Sequence, residues 1–202
     1  MTTPETPEPL RATLRKTMRQ ARRALSEAER RRAAESLCRV LLKRPELRKA
    51  RRIALYLAND GELDPAPLAR ALWRLGKRLY LPVLHPYAEG RLWFAEYRPD
   101  SRMRRNRYGI PEPDLRHAGQ LKAQALDVVL TPLVAFDTDG NRLGMGGGYY
   151  DRTFAFTQRQ GAGRRPLMIG VAHEFQRVER LPAQCWDVRL RAIATPTRLY
   201  SW

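Results

Sequence analysis

The chain has 202 residues, of which 43% are hydrophobic, and this is enough to bury a sizeable core. It carries 38 basic and 21 acidic residues, which give a formal net charge of +17 at pH 7. No apolar run approaches the roughly 18 residues of a membrane span, and the polar, proline-rich start lacks a secretory signal, so we expect a cytoplasmic protein that does not act at a membrane.

Arginine supplies almost all of the positive charge, because only five of the 38 basic residues are lysines. Its guanidinium binds phosphate and carboxylate groups with a planar fork and stays charged. Nucleic acid, nucleotides and small polyanions are therefore all candidate partners. The arginines are spread along the whole chain, however, and this favours a compositional bias over a nucleic-acid-binding function.

Hydrophobic periodicity predicts alternating helices and strands after a loose segment at 1–9. Helices are predicted over 11–23, between the capping box at Ser26 and Pro45, between Asp64 and Gly76, and over 149–160. Strands are predicted over 53–58, 78–84, 91–97, 127–136, 166–175 and 191–196. The basic segment 98–113 has three prolines and no periodicity, so we expect a long surface loop there. Cys38 lies among apolar helical positions and is predicted to be a buried free thiol.

Strands that alternate with helices imply a mostly parallel sheet that is covered on both faces. We therefore predict an α/β fold, with a single three-layer α/β/α domain over 10–202 and a Rossmann-like sheet.

The segment GNRLGMGGGYYDR, at 140–152, contains five glycines and follows the apolar run 128–136. At the carboxyl end of a sheet strand, a glycine loop that leads into a helix exposes backbone N–H groups and the positive end of a helix dipole, and both suit phosphate oxygens. Arg142 can clamp a phosphoryl group, and Asp151 is a hard oxygen ligand suited to Mg²⁺. The alternative is a tight connection in which the glycines serve packing alone, since the segment is neither a P-loop nor a dinucleotide-binding motif.

The longer segment PLVAFDTDGNRLGMGGGYYDR, at 132–152, resembles the signature of the 5-formyltetrahydrofolate cyclo-ligase family, also called methenyltetrahydrofolate synthetase. Further matches flank it in order: an arginine-bearing N-terminal helix, YLANDGELD at 56–64, YGIPEP at 108–113 and CWDVRL at 185–190. The resemblance implies an ATP- and Mg²⁺-dependent ligase that converts 5-formyltetrahydrofolate into 5,10-methenyltetrahydrofolate. In such an enzyme the formyl oxygen is phosphorylated, the ring closes and phosphate leaves, so positioning and charge stabilisation dominate catalysis.

The resemblance also implies roles for individual residues. ATP-binding residues are implied at Arg11, Ala12, Thr13, Leu14, Arg15, Arg142, Leu143, Gly144, Met145, Gly146, Gly147, Gly148, Tyr149 and Tyr150. Substrate-binding residues are implied at Leu57, Glu62, Tyr108, Met145, Gly146, Gly147, Gly148 and Tyr149. Glu62 and Arg142 would be catalytic, and Asp151 and Asp187 would be ligands of the metal.

Glu62 is expected to accept hydrogen bonds from the amino and amide edge of the pterin, while Tyr108 stacks on the folate and Tyr149 walls its other side. Simpler roles stay open for several of these residues. Arg11 and Arg15 could form a solvated helix face, Asp187 an ordinary loop carboxylate, and Leu57 and Tyr108 could serve packing.

Three positions depart from the family pattern. Many relatives carry Arg and Lys where this chain has Met145 and Gly147, and Arg191 replaces a usual Asp. Phosphate neutralisation is then expected to depend more on Arg142, on the N-terminal arginines or on the basic loop at 104–107. The three histidines show no metal-ligand spacing and receive no role.

Two other functions compete with the ligase. A nucleic-acid binder would exploit the positive charge together with Tyr97 and Tyr108, which are interleaved with basic residues. Another phosphate-ligand enzyme, such as a sugar-phosphate isomerase or coenzyme A transferase relative, would use a similar scaffold. We expect a monomer that binds reduced folate and ATP and has no nucleic-acid partner.

Overall fold

The structure is a computed structural model that describes residues 8–158, 166–181, 184 and 186–202. The strands are β1 (Arg52–Ala54), β2 (Arg78–Leu84), β3 (Leu92–Tyr97), β4 (Met103–Arg105), β5 (Pro111–Pro113), β6 (Gln120–Leu121), β7 (Val128–Pro132), β8 (Ala135–Phe136), β9 (Arg142–Leu143), β10 (Leu167–Val171), β11 (Ala192–Ala194) and β12 (Leu199–Ser201). The helices are α1 (Glu8–Ala24), α2 (Glu27–Leu42), α3 (Pro45–Lys49), α4 (Ala66–Arg74) and α5 (Tyr149–Phe154), and 3-10 turns lie at Ala123–Ala125, Ala155–Gln158 and Glu174–Gln176.

Eight strands form the central sheet, in the order β12-β11-β10-β7-β1-β2-β3-β6. The five strands from β11 to β2 run parallel, whereas β12 at one edge and β3 and β6 at the other are antiparallel. The predicted α/β fold with a mostly parallel sheet is confirmed.

Side chains of the sheet strands alternate between two apolar cores, one on each face. On β7, Val128 and Leu130 join the core under α2, α3 and α4, whereas Val129 joins the core on the opposite face. That second core is covered by α5, by 3-10 turns and by irregular segments, and Phe154 of α5 is completely buried in it. The three layers are therefore unequal, with long helices on one face only.

The remaining long helix, α1, packs on a small hairpin made by β8 and β9. Leu14 and Met18 of α1 contact an apolar cluster that includes Val134, Ala135 and Leu143. This contact brings the N-terminal arginines to the segment that contains the glycines.

Several predicted elements differ from the observed ones. The run 127–136 is broken after Pro132, which has no N–H to continue a ladder, and its last residues instead pair with β9. The segment 98–113 holds the β4–β5 hairpin and is not an irregular loop. Pro45 begins the short helix α3 after closing α2, as fits a proline in a first helical turn. The helix predicted over 149–160 has six residues and then a 3-10 turn, and its last two positions lie outside the described residues.

Two further predictions concern single features. The capping box of Ser26 and Glu29 starts α2 as predicted. Cys38 is a free thiol but is only half-buried, and burial raises its pKa, while Cys185 lies outside the described residues. None of the helices in the described ranges has the length and apolar character needed to cross a membrane.

Candidate functional site

The glycine loop, residues 144–148, connects β9 to α5. It was predicted to follow a strand of the central sheet directly, but the β8–β9 hairpin intervenes. Gly146 and Gly148 have φ angles of +99° and +61°, in a region that other residues rarely adopt. The path of the loop therefore needs glycine at these two positions, whatever the loop binds.

Two arginines of α1 lie against this loop. Arg15 donates from Nε to the carbonyl oxygen of Gly144 at 3.0 Å. Arg11, one turn earlier, is 9% exposed, and its Nη2 lies 4.0 Å from Oδ2 of Asp187. Neither arginine side chain therefore belongs to a fully solvated helix face.

The stretch between these arginines is divided between surface and core. Ala12 and Thr13 are exposed, and Leu14 packs with Met18 on the β8–β9 hairpin. Leu14 thus anchors the helix, and the arginine side chains reach the polar groups beside it.

Arg142 and Asp151 form an ion pair at the other end of the glycine loop, with Nη2 and Oδ1 2.6 Å apart. The same carboxylate oxygen accepts a hydrogen bond from the backbone N–H of Val188 at 3.1 Å. Arg142 is buried, and its Nε has no hydrogen-bond partner in the described part of the chain. Asp151 thus fixes the guanidinium but leaves its Nε–H without an acceptor. An unsatisfied buried donor costs free energy, and a ligand that supplied an acceptor would recover it.

Asp151 lies near Asp187, because it accepts from the N–H of Val188, the next residue along the chain. Burial raises the pKa of Asp187 and the charge of Asp151 raises it further, whereas a backbone hydrogen bond from Gln184 and the charges of Arg11 and Arg142 lower it. A cation held by both carboxylates would relieve this repulsion.

These two carboxylates suit Mg²⁺ better than a metal that is coordinated only by protein side chains. No group of three or more His, Cys, Asp or Glu side chains suited to a metal occurs among the described residues. Mg²⁺ is commonly held by one or two carboxylates, with water and phosphate oxygens completing the shell. The donor set therefore suits a magnesium ion that arrives with a phosphate ligand.

The helix dipole predicted to assist anion binding is small here. α5 has only six residues and therefore aligns few peptide groups. Positive charge at the glycine loop comes instead from side chains, since Arg15 and Arg152 donate to its carbonyl oxygens and Arg142 lies just before it.

Tyr108 and Tyr149 form one aromatic surface. Their ring centroids are 6.2 Å apart in an edge-to-face arrangement, and their hydroxyl oxygens are 2.6 Å apart. Arg107 donates to the hydroxyl of Tyr149 at 2.8 Å, and hydrogen bonds from Tyr108 and Arg107 lower the pKa of Tyr149. The two rings thus touch each other, and the placement of a ligand between them stays a prediction.

Glu62 closes a tight turn over residues 59–62. Asp60 and Gly61 have φ angles of 52° and 74°, and the backbone N–H of Glu62 donates to the carbonyl of Asn59 at 3.0 Å. The carboxylate of Glu62 in turn accepts from the N–H of Asn59 at 3.1 Å. A Cβ added to Gly61 would lie 2.8 Å from the backbone carbon of Arg22, so glycine is needed for the turn to pack on α1.

Arg22 is a fully buried cation beneath this turn, and sequence reasoning missed it. Its Nη2 lies 3.3 Å from Oδ2 of Asp60, and its Nη1 lies 4.0 Å from Oε1 of Glu62. Asp60 also pairs with Arg19 and Arg23 on the exposed side of the helix. Nε and Nη1 of Arg22 have no hydrogen-bond partner within the described ranges. The signal for Arg22 in the sequence is its spacing from Arg15 and Arg19. The three residues are four and three positions apart and therefore share one face of the helix.

His173 completes the surroundings of Glu62, and no spacing in the sequence pointed to it. It is 3% exposed and is hydrogen-bonded to the backbone of Gly61. Burial lowers its pKa to about 4, and the charge of Arg22 also lowers it. The hydrogen bond with Gly61 has the opposite effect, which is smaller than that of burial. The imidazole is therefore neutral at pH 7.

Glu62 titrates near neutral pH in these surroundings. Its side chain is 13% exposed, and burial raises its pKa to about 7 despite the hydrogen bond from Asn59 and the charge of Arg22. The same carboxylate raises the pKa of Tyr150, in addition to the larger effect of burial. Tyr150 lies just after the glycine loop, so this effect indicates that the loop and Glu62 lie near each other.

Other predicted residues lie deeper or farther out. Tyr150 stacks on Phe154 with ring centroids 6.2 Å apart, so its ring belongs to the core. Leu57 packs against the other core and borders a cavity of about 70 Å³ beside Trp73. Met145 is 49% exposed at the tip of the glycine loop. The binding roles of these residues stay predictions.

Comparison with known proteins confirms the resemblance. The sequence model of the 5-formyltetrahydrofolate cyclo-ligase family matches residues 8–196. A 5-formyltetrahydrofolate cyclo-ligase of Escherichia coli (strain K12) is 44% identical over 185 residues, which are 92% of this chain and 100% of that protein. A protein of the same name from Haemophilus influenzae is 42% identical, over 89% of this chain and 94% of its own length. The NMR structure of 5,10-methenyltetrahydrofolate synthetase from Aquifex aeolicus superposes with a TM-score of 0.79 at 33% identity, and the match covers 95% of this chain and 92% of that one.

The buried carboxyl of Glu62 predicts a specific dependence of stability on pH. Its pKa is raised from 4.5 to about 7, so between these pH values the folded protein holds a proton that the unfolded chain has lost. The free energy of unfolding therefore falls as the pH rises through this window. We expect Glu62→Gln to raise the free energy of unfolding by about 3 kcal/mol at pH 8 and to change it little at pH 4.

Urea denaturation at the two pH values measures this difference. Glu35→Gln, an exposed change on α2, is the matched control and should show no such pH dependence. An equal effect of Glu62→Gln at both pH values would mean that Glu62 does not titrate in this window.

Proposed function

This chain belongs to the 5-formyltetrahydrofolate cyclo-ligase family and is therefore an enzyme, a ligase, and we propose that it uses ATP and Mg²⁺ to convert 5-formyltetrahydrofolate into 5,10-methenyltetrahydrofolate. One observation carries the proposal. Arg15 contacts the bare glycine loop, Arg142 pairs with Asp151 across it, and Arg11 lies 4.0 Å from Asp187. These are the groups that a magnesium–triphosphate ligand needs.

The triphosphate of ATP would lie along the glycine loop. A Cβ added to Gly144 would meet no heavy atom within 4 Å, so open space adjoins the backbone there. Arginine forks suit phosphate oxygens, and the unsatisfied Nε of Arg142 supplies a donor at this position.

Asp151 and Asp187 would hold the magnesium ion. When bound, Mg²⁺ supplies positive charge that offsets the charge of the phosphate oxygens. The ion pair of Asp151 with Arg142 fixes the guanidinium, which would then face the same phosphates.

The pterin would bind at Glu62. A carboxylate can accept two N–H donors from the amide and amino edge of that ring. With a pKa of about 7, Glu62 loses its proton readily when such donors approach, and its charge is then stabilised by Arg22 behind it. The surface of Tyr108 and Tyr149 would contact the flat part of the folate on one side.

In the proposed reaction the formyl oxygen attacks the γ-phosphorus of ATP, and the bond from this phosphorus to the bridging oxygen of ADP breaks. The N10 amine then attacks the activated carbon and loses its proton, the C–O bond breaks, and inorganic phosphate leaves. The protein's part is to align the oxygen with the phosphorus and to stabilise the charge that the phosphoryl group carries. Arg142, Arg11 and Arg15 would stabilise that charge, and Glu62 would hold the pterin in place.

A direct assay tests the function. Purified protein with 5-formyltetrahydrofolate should form a product that absorbs in the near ultraviolet only when ATP and Mg²⁺ are both present. Product formed without ATP would refute the phosphoryl-transfer mechanism, and no product with the full mixture would refute the activity.

Removal of one carboxylate charge tests the metal site. We expect Asp151→Asn to raise the Mg²⁺ concentration needed for half-maximal turnover by about 10- to 100-fold, because one of two anionic ligands is lost. Asp139→Asn, an exposed change in the β8–β9 turn, is the control. If Asp151 only orients Arg142, the variant will turn over more slowly with an unchanged Mg²⁺ requirement.

A methyl group on the glycine loop tests phosphate binding. Gly144 has no positive φ and open space around it, so Gly144→Ala should leave the free protein's melting temperature unchanged. The methyl group would stand where the triphosphate lies, and we expect the KM for ATP to rise about tenfold, or about 1.4 kcal/mol. Gly119→Ala is the control, since it also has an ordinary φ and lies on the far edge of the sheet. Unchanged KM for ATP would place the triphosphate elsewhere.

A further inference from the structure

Among the described residues, Arg22 is the one arginine of α1 that reaches both carboxylates of the turn carrying Glu62. Its Nη2 lies 3.3 Å from Oδ2 of Asp60, and its Nη1 lies 4.0 Å from Oε1 of Glu62. Arg19 and Arg23 pair with Asp60 alone. Their side chains are 40% and 58% exposed, whereas Arg22 is fully buried. Arg22 therefore links the turn to the helix from the inside.

The turn that is held in this way has an unfavourable backbone conformation. Asp60 has a φ angle of 52° and is the only residue other than glycine with a positive φ in the described ranges. Such a conformation costs free energy and persists where surrounding contacts hold it. Three guanidinium groups on the Asp60 carboxylate supply such contacts. The place of Glu62, two residues farther on, thus depends on the contact of the turn with α1.

Arg22 also has hydrogen-bonding capacity that the described protein groups do not use. Its Nε and Nη1 are buried and lack a partner there, and 4.0 Å between Nη1 and Oε1 of Glu62 is longer than a hydrogen bond. No other basic group in the described part of the chain lies within 4 Å of the Glu62 carboxylate, and the neighbouring His173 is neutral at pH 7. Arg22 is thus the cation that acts on Glu62 at close range.

We propose that Arg22 is a positioning residue of the pterin site, which holds the Glu62 carboxylate in its binding orientation and donates to it when the substrate's N–H groups engage the same carboxylate. The proposal rests on the function proposed above. Oε2 of Glu62 accepts from the N–H of Asn59, and Oε1 faces Nη1 of Arg22. Each carboxylate oxygen can accept a second hydrogen bond, so acceptors remain for the pterin. A shift of about 1 Å brings Nη1 and Oε1 within hydrogen-bonding distance, and a charged hydrogen bond made in this way adds to substrate affinity.

The variant Arg22→Met tests this role, because it removes the guanidinium and keeps an unbranched side chain in the buried space. Asp60 keeps its ion pairs with Arg19 and Arg23, and the turn keeps its backbone hydrogen bond, so we expect the fold to survive. Arg19→Met is the matched control. It lies on the same helix, pairs with the same carboxylate and loses the same charge, but it has no ion pair with Glu62.

Equilibrium binding of 5-formyltetrahydrofolate and of ATP is measured separately, and circular dichroism reports the fold. We expect Arg22→Met to weaken folate binding about tenfold at pH 7 and to leave ATP binding within about twofold of wild type. Arg19→Met should leave both affinities within about twofold. Arg22→Lys keeps the charge but has a single nitrogen for two carboxylates, so it should recover part of the loss.

A double-mutant cycle with Glu62→Gln separates positioning from a general structural role. If Arg22 acts through Glu62, Arg22→Met should weaken folate binding by less than about twofold further once Glu62 has been replaced. If only Arg22→Met fails to fold, the cycle is run with Arg22→Lys.

Three binding results would overturn the proposal: losses that multiply in the double variant, an equal loss of ATP affinity, or an equal effect of Arg19→Met. Loss of the fold in both Arg22→Met and Arg22→Lys would make Arg22 a structural residue and would overturn it as well. Absence of turnover by the wild-type protein with ATP, Mg²⁺ and 5-formyltetrahydrofolate would instead refute the proposed function.

Discussion

The packing of α1 against the β8–β9 hairpin is the contact on which the site depends. Leu14 and Met18 bury one stripe of the helix on Val134 and Leu143, and this orients the arginines on the neighbouring positions. Arg15 then reaches the glycine loop, and Arg22 lies beneath Glu62. A helix rises 1.5 Å per residue, so the eleven steps from Arg11 to Arg22 span about 16 Å. α1 thus acts as a rigid spacer between the phosphate end and the pterin end of the proposed site.

The buried charges on either side of this helix are only partly compensated. Arg22 and Arg142 each keep at least one buried N–H without a partner in the described residues, and Glu62 and Asp187 have raised pKa values. Unsatisfied donors and unfavourable charges cost stability in the free protein. A ligand that supplies acceptors to the arginines and donors or a cation to the carboxylates recovers that free energy. The proposed ligand, with its phosphates, metal and polar ring edge, would supply these missing partners.

Local patterns in the sequence were sufficient for the main elements and for the polar residues that share a helix or a motif. The family resemblance assigned Arg11, Arg15 and the glycine-rich segment to the proposed phosphate end, and Arg15 contacts the glycine loop in the structure. The β8–β9 hairpin escaped prediction because strands of two residues show no periodicity. The neutral His173 and the titration of Glu62 escaped it because both depend on burial against Arg22, which is distant in sequence. The contact of Tyr108 with Tyr149 likewise joins residues 41 positions apart.

The departure from the family pattern at Gly147 has a physical counterpart in this site. A Cβ at this position would lie 2.9 Å from Cδ2 of Tyr149, so a lysine could stand there only if the tyrosine ring moved. Bare backbone at Gly147 lets the ring take its place beside Arg107, while Arg152 donates to the Gly147 carbonyl and lies over the same ring with its Cζ 5.7 Å from the centroid. Two guanidinium groups thus stand close to the position where many relatives carry an ammonium group. In this chain, therefore, the glycine provides room for the Tyr149 ring, and positive charge beside the loop comes from neighbouring arginines.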